Sequence, residues 1–195
     1  MASTIKPFAV ASVAALALLS LNVIAHEGQH HAAADAQAPI VTAQAAHAEL
    51  KPTAGSTVAG HVRFQMEGDK IHVTGTVKGL KPLSSHGFHV HEKGDCSAPD
   101  GTSTGGHFHL HGQLHGAPGI DHNEHAGAMG NIRTDKDGVA HVDLRFSASK
   151  ISLGNVPQNI IGRGLIVHHG ADDLTSQPAG NSGPRAACGV IQADA

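Results

Sequence analysis

The sequence of 195 residues has no tryptophan or tyrosine, only two cysteines, and little charge of either sign. Its net charge is −3 with histidine neutral, so it has no excess of basic residues to bind phosphates, and we expect no nucleic-acid partner. What it has in abundance is glycine, at 24 copies, and histidine, at 18 copies. Frequent glycine-marked turns favour a β-rich fold over a helical bundle. The histidines favour metal binding, because neutral imidazole is the commonest metal ligand.

The first 25 residues have the pattern of a secretory signal peptide. Lys6 is followed by an apolar stretch from Phe8 to Ile24 and by the small residue Ala25. A membrane anchor is the alternative, but the segment is short and a polar stretch follows it at once. We therefore predict an exported protein, periplasmic or otherwise extracytoplasmic, whose mature chain has no stable membrane insertion.

Residues 26–41 are rich in histidine and alanine and have no periodic apolar pattern, which predicts a flexible tail. Such a tail could bind metal weakly or have no defined task. The rest of the chain, residues 42–195, is long enough for one domain of ordinary size.

The two cysteines are Cys96 and Cys188. In the oxidising compartment that an exported chain meets, an even pair suggests a disulfide, and two buried thiols are the alternative. A bridge between them would close a loop of roughly 90 residues, which the chain-entropy account values at about 4–5 kcal/mol.

Apolar and polar residues alternate in residues 58–66, 71–77 and 140–146, as in half-buried strands, and a short strand is expected near residues 187–191. Residues 92–130 and 170–186 lack this alternation and are rich in glycine, histidine, aspartate and proline. Irregular segments of that length are usually functional. The pattern predicts an antiparallel barrel or sandwich with two long loops.

The segment His86–His91 contains the clearest metal-binding pattern. On a strand, Phe88 and Val90 point to one face while His89 and His91 point to the other, so two imidazoles can reach one ion. Further histidines stand in the glycine-rich segments and at the end of an apolar run, at His107, His115, His125 and His168. Imidazole-rich sites suit copper and zinc.

These motifs resemble the copper/zinc superoxide dismutases, and the short second loop resembles the exported bacterial type. The resemblance covers about residues 42–192. It implies an all-β fold: an eight-stranded antiparallel Greek-key β-barrel, or immunoglobulin-like sandwich, with two long functional loops. It also implies copper and zinc as cofactors, superoxide as substrate, and a homodimer or a monomer. The matching segments are residues 87–92, 105–108, 115–116, 125–131, 161–168, 171–173 and 180–191.

The resemblance also implies roles for single residues. The copper ligands would be His89, His91, His107 and His168. His107 would bridge to a zinc ion held with His115 and His125, and His86 would be structural. Asp172 would link a copper ligand to a zinc ligand, and Cys96 would be bonded to Cys188. The catalytic residues would be Arg185, which attracts and orients superoxide, and His107, which delivers a proton.

The sequence departs from the family pattern at Ala128, where the family has a zinc-binding aspartate. Three histidines leave one position of a four-coordinate zinc ion open, so we expect zinc binding to be weakened or absent. A water or a nearby side chain could fill that position, the candidates being His109, His111, Asp121, His122 and Glu124. Residues 174–184 contain no charge, so electrostatic steering would depend mainly on Arg185 and the ion.

The predicted function is superoxide disproportionation to oxygen and hydrogen peroxide by copper redox cycling. The alternative is a periplasmic copper- or zinc-binding or buffering protein on an inactive dismutase fold. Ala128 and the additional histidines favour the alternative. The complete copper set together with Arg185 favours the enzyme.

Overall fold

The computed structural model describes residues 42–121 and 123–195. The predicted signal peptide, residues 1–25, and the predicted tail, residues 26–41, lie outside the described residues. The described chain forms nine β-strands and a single 3-10 turn, Thr102–Thr104. The strands are β1 (Ala45–Pro52), β2 (Ala59–Glu67), β3 (Lys70–Lys78), β4 (Ser85–His91), β5 (Ala128–Arg133), β6 (Ala140–Ser147), β7 (Gly164–His168), β8 (Arg185–Val190) and β9 (Gln192–Ala193).

Eight strands form one antiparallel path in the order β5-β4-β7-β8-β1-β2-β3-β6. The two ends of the path, β5 and β6, are consecutive in the chain, and a bridge between Thr134 and Ala140 holds them together. The barrel is therefore nearly closed, which leaves little unpaired strand edge. Strands distant in sequence are paired, as in a Greek key. The predicted all-β, eight-stranded barrel is confirmed, and the short β9 adds a partner to β1.

The alternating segments form strands because one side of each can be buried. In β2, Val62 and Phe64 have no exposed surface, while the alternate residues His61 and Arg63 are exposed. The predicted strand bounds agree with the structure to within two residues, and only the C-terminal strand differs, since it divides into β8 and β9.

β4 is buried on both faces. Phe88 and Val90 lie in the barrel core, and His89 and His91 are buried on the opposite face. The irregular segments cover that second face. β4 pairs with β5 on one side and with β7 on the other, so its histidines lie in the middle of the sheet.

The two irregular segments are shorter than their predicted ranges, because β5 begins at Ala128 and β8 begins at Arg185. We call residues 92–127 the long loop. A third irregular segment, residues 148–163, was not predicted as such. It packs Ile151, Leu153 and Ile160 into the core, where they are fully buried.

A disulfide joins Cys96 in the long loop to Cys188 in β8, with their Cα atoms 5.9 Å apart. The predicted disulfide is confirmed, and it fastens the start of the long loop to the barrel wall. Within residues 42–121 and 123–195, no helix has the length and hydropathy that a membrane crossing requires.

Candidate metal centre

Four buried histidines converge on one point. His89 and His91 come from β4, His168 is the last residue of β7, and His107 comes from the long loop. One ring nitrogen from each lies within 4.8 Å of the corresponding nitrogen of the other three. The ring centroids of His89 and His107 are 4.0 Å apart. The strands bring these side chains together because β4 and β7 are paired neighbours.

Backbone carbonyls determine which nitrogen of two of these rings carries the proton. Nδ1 of His91 lies 2.9 Å from the Gly105 carbonyl oxygen, and Nδ1 of His168 lies 2.9 Å from that of Gly183. A carbonyl only accepts, so each Nδ1–H must donate. The Nε2 lone pair of both rings is therefore available to an ion.

Asp172 likewise accepts a hydrogen bond from His89, the third of these rings, and it also contacts His115, which belongs to a second group of histidines. Its Oδ2 lies 2.8 Å from Nε2 of His89, and its Oδ1 lies 2.8 Å from Nε2 of His115. Burial alone would raise the pKa of Asp172, but the hydrogen bonds from His115 and His89 outweigh it and hold that pKa well below its ordinary value. The ionised carboxylate leaves Nδ1 of each imidazole free.

A second group of histidines, which we call the triad, consists of His107, His115 and His125. Their candidate donor nitrogens also lie within 4.8 Å of one another. All three belong to the long loop, and their side chains are buried. Ring centroids of His107 and His115 are 5.3 Å apart, and those of His107 and His125 are 5.9 Å apart. His107 is therefore common to both groups.

The buried side-chain nitrogens without a hydrogen-bond partner test whether these groups fit metal ions. Within the described residues there are seven such atoms, and every one belongs to the two groups. Buried polar atoms are almost always paired in proteins, so seven unpaired atoms around two points call for a ligand. Both nitrogens of His107 are among them, as a residue shared by two ions requires. The atoms are His89 Nδ1, His91 Nε2, His107 Nδ1 and Nε2, His115 Nδ1, His125 Nδ1 and His168 Nε2.

Burial lowers the pKa of His89 and of His91, which favours the neutral imidazole that binds metal. Burial, together with nearby His89, lowers the pKa of His168 to about 3. Burial likewise lowers the pKa of His125 to about 4. Burial and the surrounding imidazoles hold the pKa of His107 far below its ordinary value.

Arg185, the first residue of β8, lies beside the four-histidine group. Its guanidinium donates to the carbonyl oxygens of Gly101 and Gly105, each at 2.5 Å. The Gly105 carbonyl thus accepts from both Arg185 and His91. This shared acceptor fixes the half-buried guanidinium relative to a ring of the group.

His86 is buried in β4 but has protein partners at both ring nitrogens. Nδ1 lies 3.0 Å from the His168 carbonyl oxygen, and Nε2 lies 2.7 Å from Ser84 Oγ. The ring therefore supports the backbone of His168 and belongs to neither group.

Ala128 is fully buried at the start of β5, opposite His89. Of the side chains suggested as its replacement, none belongs to a metal-binding group in the described part of the chain. Asp121 accepts from the Ala117 amide at 2.8 Å, and Glu124 lies 2.7 Å from Lys150 Nζ. His109 and His111 are exposed, and His122 lies outside the described residues.

Several supporting residues were not identified from the sequence. The Asn131 side chain brackets Asp172, accepting from its amide at 2.8 Å and donating to its carbonyl at 2.9 Å. Gln177 brackets the backbone of His115 in the same way, at 2.9 and 2.8 Å. Gly180 has a φ of +65°, and a Cβ there would collide with the Asp172 carboxylate. Asn131 and Gly180 lay in recognisable motifs; Gln177 has no local signal.

Fold and site together define a β-barrel protein with histidine groups that could hold two neighbouring metal ions. The family model for copper/zinc superoxide dismutase matches residues 58–191. The Cu-Zn superoxide dismutase of Yarrowia lipolytica is 41% identical over 144 residues, covering 70% of this chain and 90% of that protein. That of Cordyceps militaris is 42% identical over 142 residues, covering 69% and 89%. The crystal structure of the clock protein EA4 matches with a TM-score of 0.70 and 39% identity, covering 79% of this chain and 97% of EA4.

The chain belongs to the copper/zinc superoxide dismutase family. The family implies copper and zinc, and superoxide fits as the substrate. Identity of 41–42% to proteins named superoxide dismutase supports that activity, an oxidoreductase reaction, for this chain.

Proposed function

We propose that this chain disproportionates superoxide at a copper ion held by His89, His91, His107 and His168. One observation carries the proposal: four buried imidazoles offer unpaired nitrogens to one point, with the Arg185 guanidinium beside it. When bound, copper supplies the one-electron redox chemistry that converts two superoxide anions to oxygen and hydrogen peroxide.

Arg185 binds and orients the substrate in this proposal. Its bonds to the Gly101 and Gly105 carbonyls hold the guanidinium in one position, and its remaining N–H groups can donate to a small anion. A fixed positive charge in a partly buried site attracts an anion more strongly than one in water. Since residues 174–184 are uncharged, we expect Arg185 to provide most of the protein's attraction for superoxide.

His107 is the proposed proton carrier. Its two ring nitrogens have no protein partner and face the two groups. A proton on the nitrogen that faces the four-histidine group would lie beside the copper ion, where superoxide needs a proton once it is reduced. Every other ring of that group has one nitrogen committed to a carbonyl or to Asp172. His107 is thus the ring best suited to exchange a proton.

We propose that zinc binds the triad more weakly than it binds a site with an aspartate. Three neutral imidazoles leave the fourth position of a tetrahedral ion without a donor at Ala128. They also lack the negative charge that a carboxylate would add. We expect Ala128→Asp to bind zinc more tightly than the wild type. Chelator competition measures the zinc affinity of both proteins.

We propose that residues 1–25 direct export, with the mature chain beginning near His26 and residing in the periplasm or an equivalent compartment. The disulfide supports this location, since such bonds persist in oxidising compartments. N-terminal sequencing of the secreted protein tests it, and a retained Met1 would contradict it.

The deciding experiment measures bound metals and dismutase activity before and after chelation. We expect a single tightly bound copper per chain, loss of activity when copper is removed, and activity that survives removal of zinc. Arg185→Ala should lower activity by about tenfold or more without loss of copper, since it removes one charge-assisted contact. Several weakly bound ions without activity would instead identify a metal-buffering protein.

A further inference from the structure

The fourth position of the triad has few possible occupants in this chain. Asp121 is exposed, and its carboxylate caps the Ala117 amide. Glu124 forms an ion pair with Lys150, and both side chains are largely buried, at 10% and 14% exposure. Lys150 Nζ also lies 3.2 Å from the His125 carbonyl oxygen. Recruiting Glu124 to an ion would leave the buried Lys150 charge without its carboxylate, which is strongly unfavourable.

His109 lies against the triad. Its ring centroid is 5.3 Å from that of His125, with the planes tilted by 34°. The other two triad rings are both farther from His125, at 5.9 Å. The ring of His109 is therefore nearer to the ring of His125 than the ring of either His107 or His115 is.

The backbone next to His109 is fixed while its side chain is free to turn. Phe108 donates its amide to the Val90 carbonyl at 2.8 Å, and its carbonyl accepts from the Gly127 amide at 2.8 Å. Its ring is buried beneath the guanidinium of Arg163, 3.5 Å from the ring centroid. These contacts hold residue 109 beside His125. Its ring nitrogens are not among the converging triad donors, so ligation requires the side chain to change rotamer.

The present contacts of the His109 ring are weak. Its Nδ1 lies 3.2 Å from the carbonyl oxygen of the next residue, Leu110. Its Nε2 lies 3.6 Å from the Glu92 carboxylate, which is beyond hydrogen-bond range, and both side chains are more than 40% exposed. An ion at the triad would therefore compete with little for this imidazole.

We infer that His109 supplies the fourth ligand when zinc occupies the triad. The inference rests on the zinc site proposed above and identifies the donor that closes it. Four histidine nitrogens complete the four-coordinate shell that zinc prefers. The site would bind zinc more weakly than a site with a carboxylate, and more tightly than three histidines alone.

The test compares His109→Ala with His111→Ala, a matched control two residues farther along the same loop and also exposed. Copper-loaded, disulfide-intact protein is titrated with zinc against a chromophoric chelator, and with cobalt(II), whose visible bands report the number and type of ligands. We expect His109→Ala to weaken zinc binding by about tenfold or more, since loss of even an outer-shell partner costs 10–100-fold. The cobalt bands should change with it, while His111→Ala behaves as wild type.

Restoring the carboxylate makes the test sharper. In the Ala128→Asp background the fourth position is filled, so His109→Ala should no longer alter zinc affinity or the cobalt spectrum. An equal loss in both backgrounds would overturn the inference, because His109 would then act on the fold and not on the ion. Unchanged zinc affinity in His109→Ala, a loss confined to His122→Ala, or no zinc binding by the wild type would also overturn it.

Failure of the proposed function is distinguishable from failure of this inference. If the protein binds no copper or has no dismutase activity, the zinc and cobalt titrations can be made on the metal-free protein and compared between the same variants. If His109→Ala leaves zinc binding unchanged while copper and activity are normal, only the role of His109 is wrong.

Discussion

The two halves of the histidine cluster are built differently. Three of the four histidines proposed for copper stand on β4 and β7, paired strands in the middle of the sheet. The three triad histidines all belong to the long loop. On the copper side, His89, His91 and His168 each have one ring nitrogen fixed by a carboxylate or a backbone carbonyl. On the triad side, Asp172 fixes one nitrogen of His115, while Nδ1 of His125 has no hydrogen-bond partner among the described residues.

Ring orientation is therefore fixed for three of the four histidines where redox chemistry is proposed. Strand backbone and fixed acceptors hold donor atoms in place before any ion arrives, which is what an active centre requires. On the loop side, Asp172 fixes the ring of His115, and side chains hold the backbone, for example Gln177 at His115 and Lys150 at His125. We therefore expect the copper half to tolerate change poorly and the triad half to adapt.

Removal of a histidine that stands on a strand should have the largest effect on copper binding and activity. His168→Ala should abolish tight copper binding and lower dismutase activity more than the roughly 100-fold that loss of an outer-shell partner costs. Copper content and activity of the purified protein measure this. The exposed neighbour His169 offers a control, because His169→Ala should keep its copper. A His168→Ala protein that remained active with a full copper content would contradict the proposed ligand set.

Asp172 joins the two halves, so its loss should affect both. In Asp172→Asn, one carboxylate no longer fixes His89 and His115, and we expect copper and zinc affinities each to fall about 10–100-fold. Competition titrations with chelators give both constants. Asp173→Asn is the matched control, since the Asp173 carboxylate accepts from Thr175, Ser176 and Asn181 in its own loop. A loss confined to one metal would mean that the halves are independent.

The smallest expected effect concerns folding stability and involves a histidine on the outer face of the barrel, far from the site. His72 in β3 contacts Asp143 at 2.7 Å and Glu67 at 3.0 Å, and these carboxylates raise its pKa above the ordinary value. A raised pKa in the folded state stabilises the protein fully below pH 6.5, and this contribution is lost as the pH rises through the raised value.

Denaturant unfolding of wild type and His72→Gln at pH 6 and pH 8.5 tests this surface contribution. The difference in the free energy of unfolding between the two proteins should be larger at pH 6, and dismutase activity should not change. A His72→Gln difference that grew toward pH 8.5 would show that the sign is wrong.

Much of the barrel and the membership of the site could be predicted from local sequence. Strands β2, β3 and β6 follow from alternation, because a half-buried strand exposes every second residue. β4 follows from the pattern around Phe88 and Val90. β5 did not, because its six residues are mostly buried and interrupted by Gly130. Residues 148–163 also gave no regular pattern, since their apolar side chains enter the core from irregular backbone.

Residue type and order are enough to identify the available histidines, the cysteine pair, and the missing donor at Ala128. Tertiary structure alone decided which nitrogen of each ring is free, since the Gly105 and Gly183 carbonyls and Asp172 reach their rings from distant parts of the chain. It also decided that His109, and neither Asp121 nor Glu124, lies free beside the triad. Proton positions and ring contacts depend on three-dimensional neighbours, which spacing along the chain does not specify.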